Sequence, residues 1–290
     1  MSINLTNITY TYMAGTPFEQ TALKNVNLTI EKGEFIGIIG HTGSGKSTLI
    51  QHMNGLLKPT GGTVTLDGID IHQKSKEAKA AKRRIGMVFQ YSEHQLFEET
   101  IAADIAFGPR SQGLSEEEVD QRVRQAMEFV NLDYDTFANR SPFQLSGGQM
   151  RRVSIAGIVA LQPDYLILDE PSAGLDPGAR REVFAEIVKY HETMQSTIIL
   201  VSHNMDEVAQ VAKRLIVMDQ GTILIDGPTR DVFIKHQEEL KAVGVDVPPV
   251  TALMGTLKGK GLSVDTSLLL VDEAIASVHE SLRRRERHAD

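Results

Sequence analysis

Three glycines, a lysine and two serines fall together in Gly40-His41-Thr42-Gly43-Ser44-Gly45-Lys46-Ser47. That set suits a polyphosphate. A triphosphate needs many hydrogen-bond donors held close, with no side chains in the way. The glycines let the backbone curl and turn its N–H groups inward. A helix starting here would add its positive N-terminus. Lys46 can reach the β- and γ-phosphates, and the Ser47 hydroxyl can ligate Mg2+. Thr48 follows directly and joins the same candidate site.

Three further groups could act beside such a loop. Leu166-Ile167-Leu168-Asp169-Glu170 is an apolar run ending in two acids. In phosphate-loop enzymes an acid at this place holds the magnesium, a role that suits Asp169. Glu170 can point elsewhere and orient or deprotonate an attacking water. Thr197 to Val201 is a second apolar run, followed by Ser202 and His203. Parallel sheets bind ligands beyond the carboxyl ends of their strands, so His203 could contact the γ-phosphate. Gln90 ends a third run, where its amide could ligate Mg2+ or sense the γ-phosphate. Taken singly these residues also read as strand-capping acids, a packed or solvent-facing histidine and a structural glutamine. A last group, Leu145-Ser146-Gly147-Gly148-Gln149, sets a hydroxyl and a glycine pair before a helix. Ser146, the exposed N–H groups of Gly147 and Gly148, and the dipole of the helix from Gln149 can hold an anion.

The elements needed to position these residues are legible. Residues 3–12 alternate as strand, and Thr29 to Ile39 is strand broken at Lys32-Gly33. The second part runs into the glycine loop, and Ser47 to Leu57 has helical spacing. Gly61 to Ile71 reads as short strands around the turn Asp67-Gly68, and Arg84 to Gln90 as a strand. From Tyr91 to about Arg140 the character is helical. Ser115 and Glu118 form a capping box, and Val119, Val123, Met127 and Val130 make one apolar stripe. Later, buried runs at Tyr165 to Leu168, Thr197 to Val201 and Leu215 to Met218 alternate with helices, which implies a mainly parallel sheet. Residues 230–290 carry helical stretches and read as a small appendage. No internal repeat is present.

Bulk properties narrow the class. The chain has 290 residues, 41% hydrophobic and 23% charged, as in an ordinary globular protein. A net charge of −8 argues against a dominant nucleic-acid surface. There is no cysteine, hence no disulfide and no thiolate-bound metal. His191 and His236 show no metal-ligand spacing. No apolar run approaches the ~18 residues of a membrane helix, and no signal peptide is visible at the N-terminus. Work at a membrane would need a partner.

Together the motifs, in this order, resemble the ATP-binding-cassette family over about residues 3–228. They are the phosphate loop, the glutamine loop at Gln90, the signature Leu145 to Gln149, the acidic strand, Ala173-Gly174-Leu175-Asp176, and the switch histidine His203. The resemblance implies an α/β phosphate-loop NTPase core with a mainly parallel sheet. It adds an N-terminal antiparallel β subdomain, a helical subdomain at about 91–150 and an appendage over 229–290 with dimer contacts. It implies ATP and Mg2+ as cofactors and puts an aromatic ring on adenine at Tyr12, although Tyr10 would share its strand face. Two cassettes would meet head to tail, each signature closing on the other's γ-phosphate and Asp176 linking the two sites.

A narrower resemblance is to the ATPases of energy-coupling-factor importers, of the second type. It rests on Ile39 to Ser44, Phe89-Gln90-Tyr91, Glu93 to Thr100, Phe107-Gly108-Pro109 and Ser141 to Gln144. Ser92 departs from it, standing where proline is expected. The resemblance implies a peripheral protein on the cytoplasmic membrane face, powering uptake of vitamins or transition metals. Its partners would be a second, similar ATPase, a transmembrane coupling subunit facing Tyr91 to Thr100, and a separate membrane substrate-binding subunit, with no nucleic acid. The basic end, Arg283 to Arg287, would be a solvated terminus or a contact to anionic lipid. Other readings are an importer or exporter of another class, and a soluble cassette protein acting on ribosomes or DNA. The last kind usually carries two cassettes or a coiled-coil insertion, and this chain shows neither.

Overall fold

The computed structural model describes residues 1–289, with side chains as far as Arg284. Two long strands open the chain, β1 (Ser2–Tyr12) and β2 (Gln20–Glu31). They pair antiparallel and bury alternate residues, among them Ile3, Leu5, Leu28 and Ile30. β3 (Phe35–Ile39) is buried at every position, as befits a strand covered on both faces. It feeds the glycine loop and then α1 (Lys46–Met53). This helix ends before Leu57 because Asn54 caps it and Gly55 takes the left-handed position after the cap, at φ 75°. β4 (Gly61–Leu66) and β5 (Ile69–Asp70) complete a four-stranded sheet in the order β2-β1-β4-β5.

Next comes α2 (Lys76–Arg83), which the sequence reading does not include. It buries only Ala78 and Ala81 on an otherwise polar helix, and starts from the N-cap Ser75. β6 (Ile85–Val88) leads through Gln90 to a 3-10 turn, Ser92–Gln95. The helical subdomain follows: α3 (Ile101–Ser111), α4 (Glu116–Phe129), α5 (Tyr134–Phe137) and α6 (Gly147–Val159). The Ser115–Glu118 capping box forms, and the α4 stripe is buried.

The return to α/β runs β7 (Tyr165–Asp169), α7 (Pro177–Met194), β8 (Thr197–Val201), α8 (Met205–Val211) and β9 (Arg214–Asp219). A further strand, β10 (Thr222–Pro228), pairs antiparallel with β9 at the sheet edge. The six strands lie in the order β10-β9-β3-β8-β7-β6, all parallel except β10. Four helices close the described chain: α9 (Thr229–Lys235), α10 (Gln237–Ala242), α11 (Pro249–Gly259) and α12 (Val271–Ala289). Of the basic end, Arg283 is exposed and Arg284 pairs with Glu280, while the side chains of Arg285, Glu286 and Arg287 lie outside the described ones.

The large sheet divides the core. Ile36, Ile38, Ile167 and Ile199 face the small sheet and α1. Phe35, Ile39, Leu166 and Leu200 face the helices. Each such side chain contributes roughly 1.5–3 kcal/mol by leaving water. Phe233 and Leu240 join the helical side, whereas Val250, Met254, Val264, Leu268 and Ala274 form a small cluster of their own. For the site, one consequence matters most. The five parallel strands end on one edge, so the residues after β3, β6, β7, β8 and β9 converge there.

Candidate active site

Gly40 and Gly45 fix the shape of the loop. A Cβ on Gly40 would lie 2.4 Å from the Met218 carbonyl and 2.7 Å from Ser44 Oγ. At Gly45, φ is 103° and a Cβ would meet the Ala22 carbonyl at 2.7 Å. Lys46 is buried and ties the loop from inside, its Nζ donating to the carbonyls of Gly40 at 2.7 Å and His41 at 3.0 Å. Burial lowers its pKa, against the upward pull of Glu170 and Asp169. The Ser44 hydroxyl is buried and unpartnered among the described residues. Such a group asks for an anion or water in the loop. The His41 ring turns away: Nδ1 faces the Thr42 carbonyl at 2.7 Å, and Nε2 faces Asp219 at 3.0 Å. It fastens the loop to the end of β9.

Beside the loop lies a cleft of about 700 Å³. Thr42, Gly43, Gly45, Lys46, Ser47 and Thr48 line one side, and Gln90, Glu170 and His203 another. Tyr12 stands at the wall and bonds Thr48 through its hydroxyl at 3.2 Å. Tyr10 does share its strand face, with the two rings 4.8 Å apart edge to face. Tyr10, however, is half-buried and packs on the buried His52 against the core, while Tyr12 keeps its ring exposed. The rest of the wall, Gln20 to Ala22, Lys24, Gln220 and Gly221, has no motif to mark it in the sequence.

At the strand ends the acids divide. Asp169 is buried, and burial followed by the Glu170 charge pushes its pKa up to about 6, against the opposite pull of Lys46 and Ser47. Ser47, Asp169 and Gln90 supply hard oxygen donors. Too few for a closed cage, they fit a Mg2+ that keeps waters and phosphate oxygens as its other ligands. Glu170 reaches into the cleft with both oxygens held, one by Gln90 Nε2 and one by His203 Nε2, each at 2.9 Å. Its backbone is left-handed, φ 49°. A carboxylate so held, beside a phosphate-shaped loop, can orient a water for in-line attack.

Residues 23–173, which include the phosphate loop, match the ABC transporter family model. The chain belongs to the ABC transporter family. It is 50% identical over 283 residues to the energy-coupling factor transporter ATP-binding protein EcfA2 of Clostridium perfringens, covering 98% of this chain and 99% of that one. With the protein of the same name from Clostridium acetobutylicum it shares 53% over 287 residues, covering 98% and 100%. Among solved structures, cbiO1 of Clostridium perfringens, part of the ABC transporter complex cbiONQ, superposes with a TM-score of 0.72 at 34% identity, covering 87% of this chain and 98% of that one. The dimeric post-hydrolysis state of the cassette MJ0796, bound to ADP and Pi, gives 0.70 at 32% identity, covering 78% and 98%. As an ABC ATPase, the chain binds and hydrolyses ATP in a cassette with this sheet order.

The remaining motif residues lie outside the cleft. Ser146 caps α6 in a capping box with Gln149: its oxygen accepts the Gln149 N–H, and Gln149 Oε1 accepts from the Ser146 N–H at 3.1 Å. Ser146 and Gly147 are exposed. Asp176 caps α7, accepting from Ala179 and Gly178, and those N–H groups hold its carboxyl below the usual range. Sequence reasoning misses two buried ions near this ABC site. Glu207 accepts from Ser172 and Ser202, each at 2.8 Å, and so joins the segments after Glu170 and before His203. Arg151 is the other. Neither carries a local signal, since each stands directly beside another charged residue, Asp206 or Arg152.

Proposed function

We propose that this chain is the ATP-hydrolysing subunit of an energy-coupling factor importer, working at the cytoplasmic membrane face through a transmembrane coupling subunit. The observation that carries the chemistry is Glu170, whose two oxygens are held by Gln90 and His203 above the phosphate loop. The importer class is supported by relatives of that name spanning nearly the whole chain. Lys46 and the loop amides bind the phosphates, and Tyr12 stacks on adenine. Bound Mg2+, held by Ser47, Asp169 and Gln90, supplies positive charge to the phosphate oxygens. Glu170 orients the water, and His203 senses the γ-phosphate and holds Glu170 in place.

The signature of this chain serves another loop. Ser146 and Gly147 stand exposed at a helix N-terminus and do not line their own cleft. A second, similar cassette supplies the other half, with Asp176 at the junction. ATP shifts the pair toward closure because this contact exists only in the closed state. No helix among the described residues is long and apolar enough to cross a membrane. The coupling subunit instead meets the groove where Phe97 and Phe107 stand exposed, their rings 5.0 Å apart. Exposed Glu99 and half-buried Glu98 suit basic residues there, whereas Glu93 is turned inward onto Arg151. A separate membrane subunit selects the vitamin or metal carried.

Two measurements test this reading. Glu170→Gln is expected to abolish turnover and leave ATP binding intact; near-normal hydrolysis would refute the assignment. Affinity capture of this chain from solubilised membranes should bring down a second cassette and a polytopic subunit. Capture of a system built on a soluble substrate-binding protein would sink the importer class.

A further inference from the structure

Arg151 is the largest fully buried side chain among the described residues, 2% exposed, and it lies one turn into the signature helix α6. Three of its nitrogens reach acceptors on two other segments. Nη2 donates to the Glu170 carbonyl at 3.0 Å, and Nε to the Pro171 carbonyl at 3.2 Å. Nη1 pairs with Glu93 at 3.0 Å, inside the turn that follows Gln90. A buried guanidinium is tolerable only with such partners, and its planar fork fixes their relative places.

The contact to Glu170 falls where the backbone is strained. A left-handed φ in a residue with a Cβ needs support from its surroundings. Here the peptide is gripped at both ends: the Glu170 N–H donates to the Val201 carbonyl at 2.9 Å, and its carbonyl accepts from the Ala173 N–H at 3.1 Å and from Arg151 at 3.0 Å. Of these bonds only the one from Arg151 comes from the signature helix, and together they aim the side chain at Gln90 and His203.

A second link backs the first. The Ser154 hydroxyl donates to the Arg151 carbonyl at 2.7 Å. Its one proton is thereby spent, so the Ser92 hydroxyl must donate to Ser154 across 2.5 Å. Ser92 is buried and starts the turn Ser92–Gln95. The residue that departs from the expected proline is therefore bonded to the signature helix, one turn beyond Arg151.

We infer that Arg151 is a positioning residue: it sets the Glu170 carboxylate for water attack and ties that setting to the turn Ser92–Gln95 through Glu93. The inference rests on Glu170 serving the attacking water. Displacement of the turn then moves the guanidinium, and the guanidinium moves the general base. Arg151 itself touches no nucleotide, since it does not line the cleft.

The test uses the assembled membrane complex, with Mg-ATP titration giving both affinity and the number of competent sites. Turnover is expressed per competent site, so a misfolded fraction does not count. Arg151→Lys keeps the charge but cannot span three acceptors. It should lower kcat about 10- to 100-fold, the cost of a displaced catalytic group, with ATP affinity within about twofold of wild type. Glu93→Gln keeps the shape and should lower kcat less, by about threefold. Combined with Arg151→Lys it should add little, because the two share one path. A folded Arg151→Lys complex with turnover within about twofold of wild type overturns the inference. So does a fall in ATP affinity that matches the fall in turnover. Should Arg151→Lys fail to assemble, Glu93→Gln decides alone, and wild-type turnover in it overturns the inference. Glu170→Gln runs alongside: active Glu170→Gln refutes the base assignment, while inactive Glu170→Gln with active Arg151→Lys refutes only the role of Arg151.

Discussion

Asp169 and Glu170 are neighbours with unlike surroundings, and the difference has a thermodynamic signature. Asp169 holds its proton up to about pH 6, against an ordinary 3.8, chiefly because burial disfavours the ion. The folded state therefore binds this proton more tightly than the unfolded state. The resulting cost to folding grows as pH rises from about 4 to about 6, then stays complete above it. A shift of this size corresponds to about 3 kcal/mol. Asp169→Asn should accordingly raise the thermal midpoint of the nucleotide-free protein at about pH 8 and change it little near pH 4. On the proposed site the same change also removes a magnesium ligand, so turnover should fall at least about 100-fold. Scanning calorimetry at both pH values, with an ATPase assay, checks this. An unaltered midpoint at the higher pH would show that the cost is already relieved in the free protein. Retained turnover would take Asp169 out of the metal site.

Among the elements, α6 carries two duties at its N-terminus. Ser146 closes a capping box on Gln149 within the chain and stands exposed, where the proposed function gives it to a second cassette. Substitution can separate the duties. Glycine is a tolerable N-cap, costing only a few tenths of a kcal/mol relative to serine, but it has no hydroxyl. Ser146→Gly should therefore leave folding and ATP binding by its own loop nearly unchanged while impairing ATP-driven closure on the partner. Sedimentation of the pair with ATP reads this, and wild-type closure would mean the hydroxyl is spent on the cap alone. The elements also show what a sequence can and cannot carry. β3, β7 and β8 were legible because a strand buried on both faces is a continuous apolar run. α2 was not, because Lys76–Arg83 has no apolar residue larger than alanine and buries only two of its three alanines. β10 was missed as an edge strand ending in Gly227-Pro228. Tyr10 and Tyr12 could not be separated by alternation, and β1 proves irregular there, with register shifts on both sides of Tyr10. Arg151 was illegible for another reason. Its acceptors come from 58 residues upstream and about 20 downstream, and no local spacing encodes that meeting.

At the scale of the molecule, the proposed function makes the chain one half of a machine, with two separate candidate surfaces for pairing. One is the cleft with the outward-facing signature. The other is the appendage, where Leu253, Val271 and Ile275 are more than half exposed around a groove of about 500 Å³. Contiguous apolar surface of this kind marks a contact face, and the second cassette is the occupant that the family resemblance implies. The two surfaces should respond differently to nucleotide. ATP links the clefts only while it is intact, whereas an apolar contact between appendages is indifferent to hydrolysis and would keep the pair together between cycles. Ile275→Glu addresses the second surface alone. Ile275 is exposed, so the fold should change by no more than about 0.5 kcal/mol. Without nucleotide, association should weaken about tenfold, equivalent to 1.4 kcal/mol. With ATP, in a Glu170→Gln background that cannot turn over, the clefts should restore most of it. Sedimentation equilibrium under both conditions distinguishes the cases: equal association of wild type and Ile275→Glu without nucleotide would detach the appendage from pairing and leave ATP as the sole link.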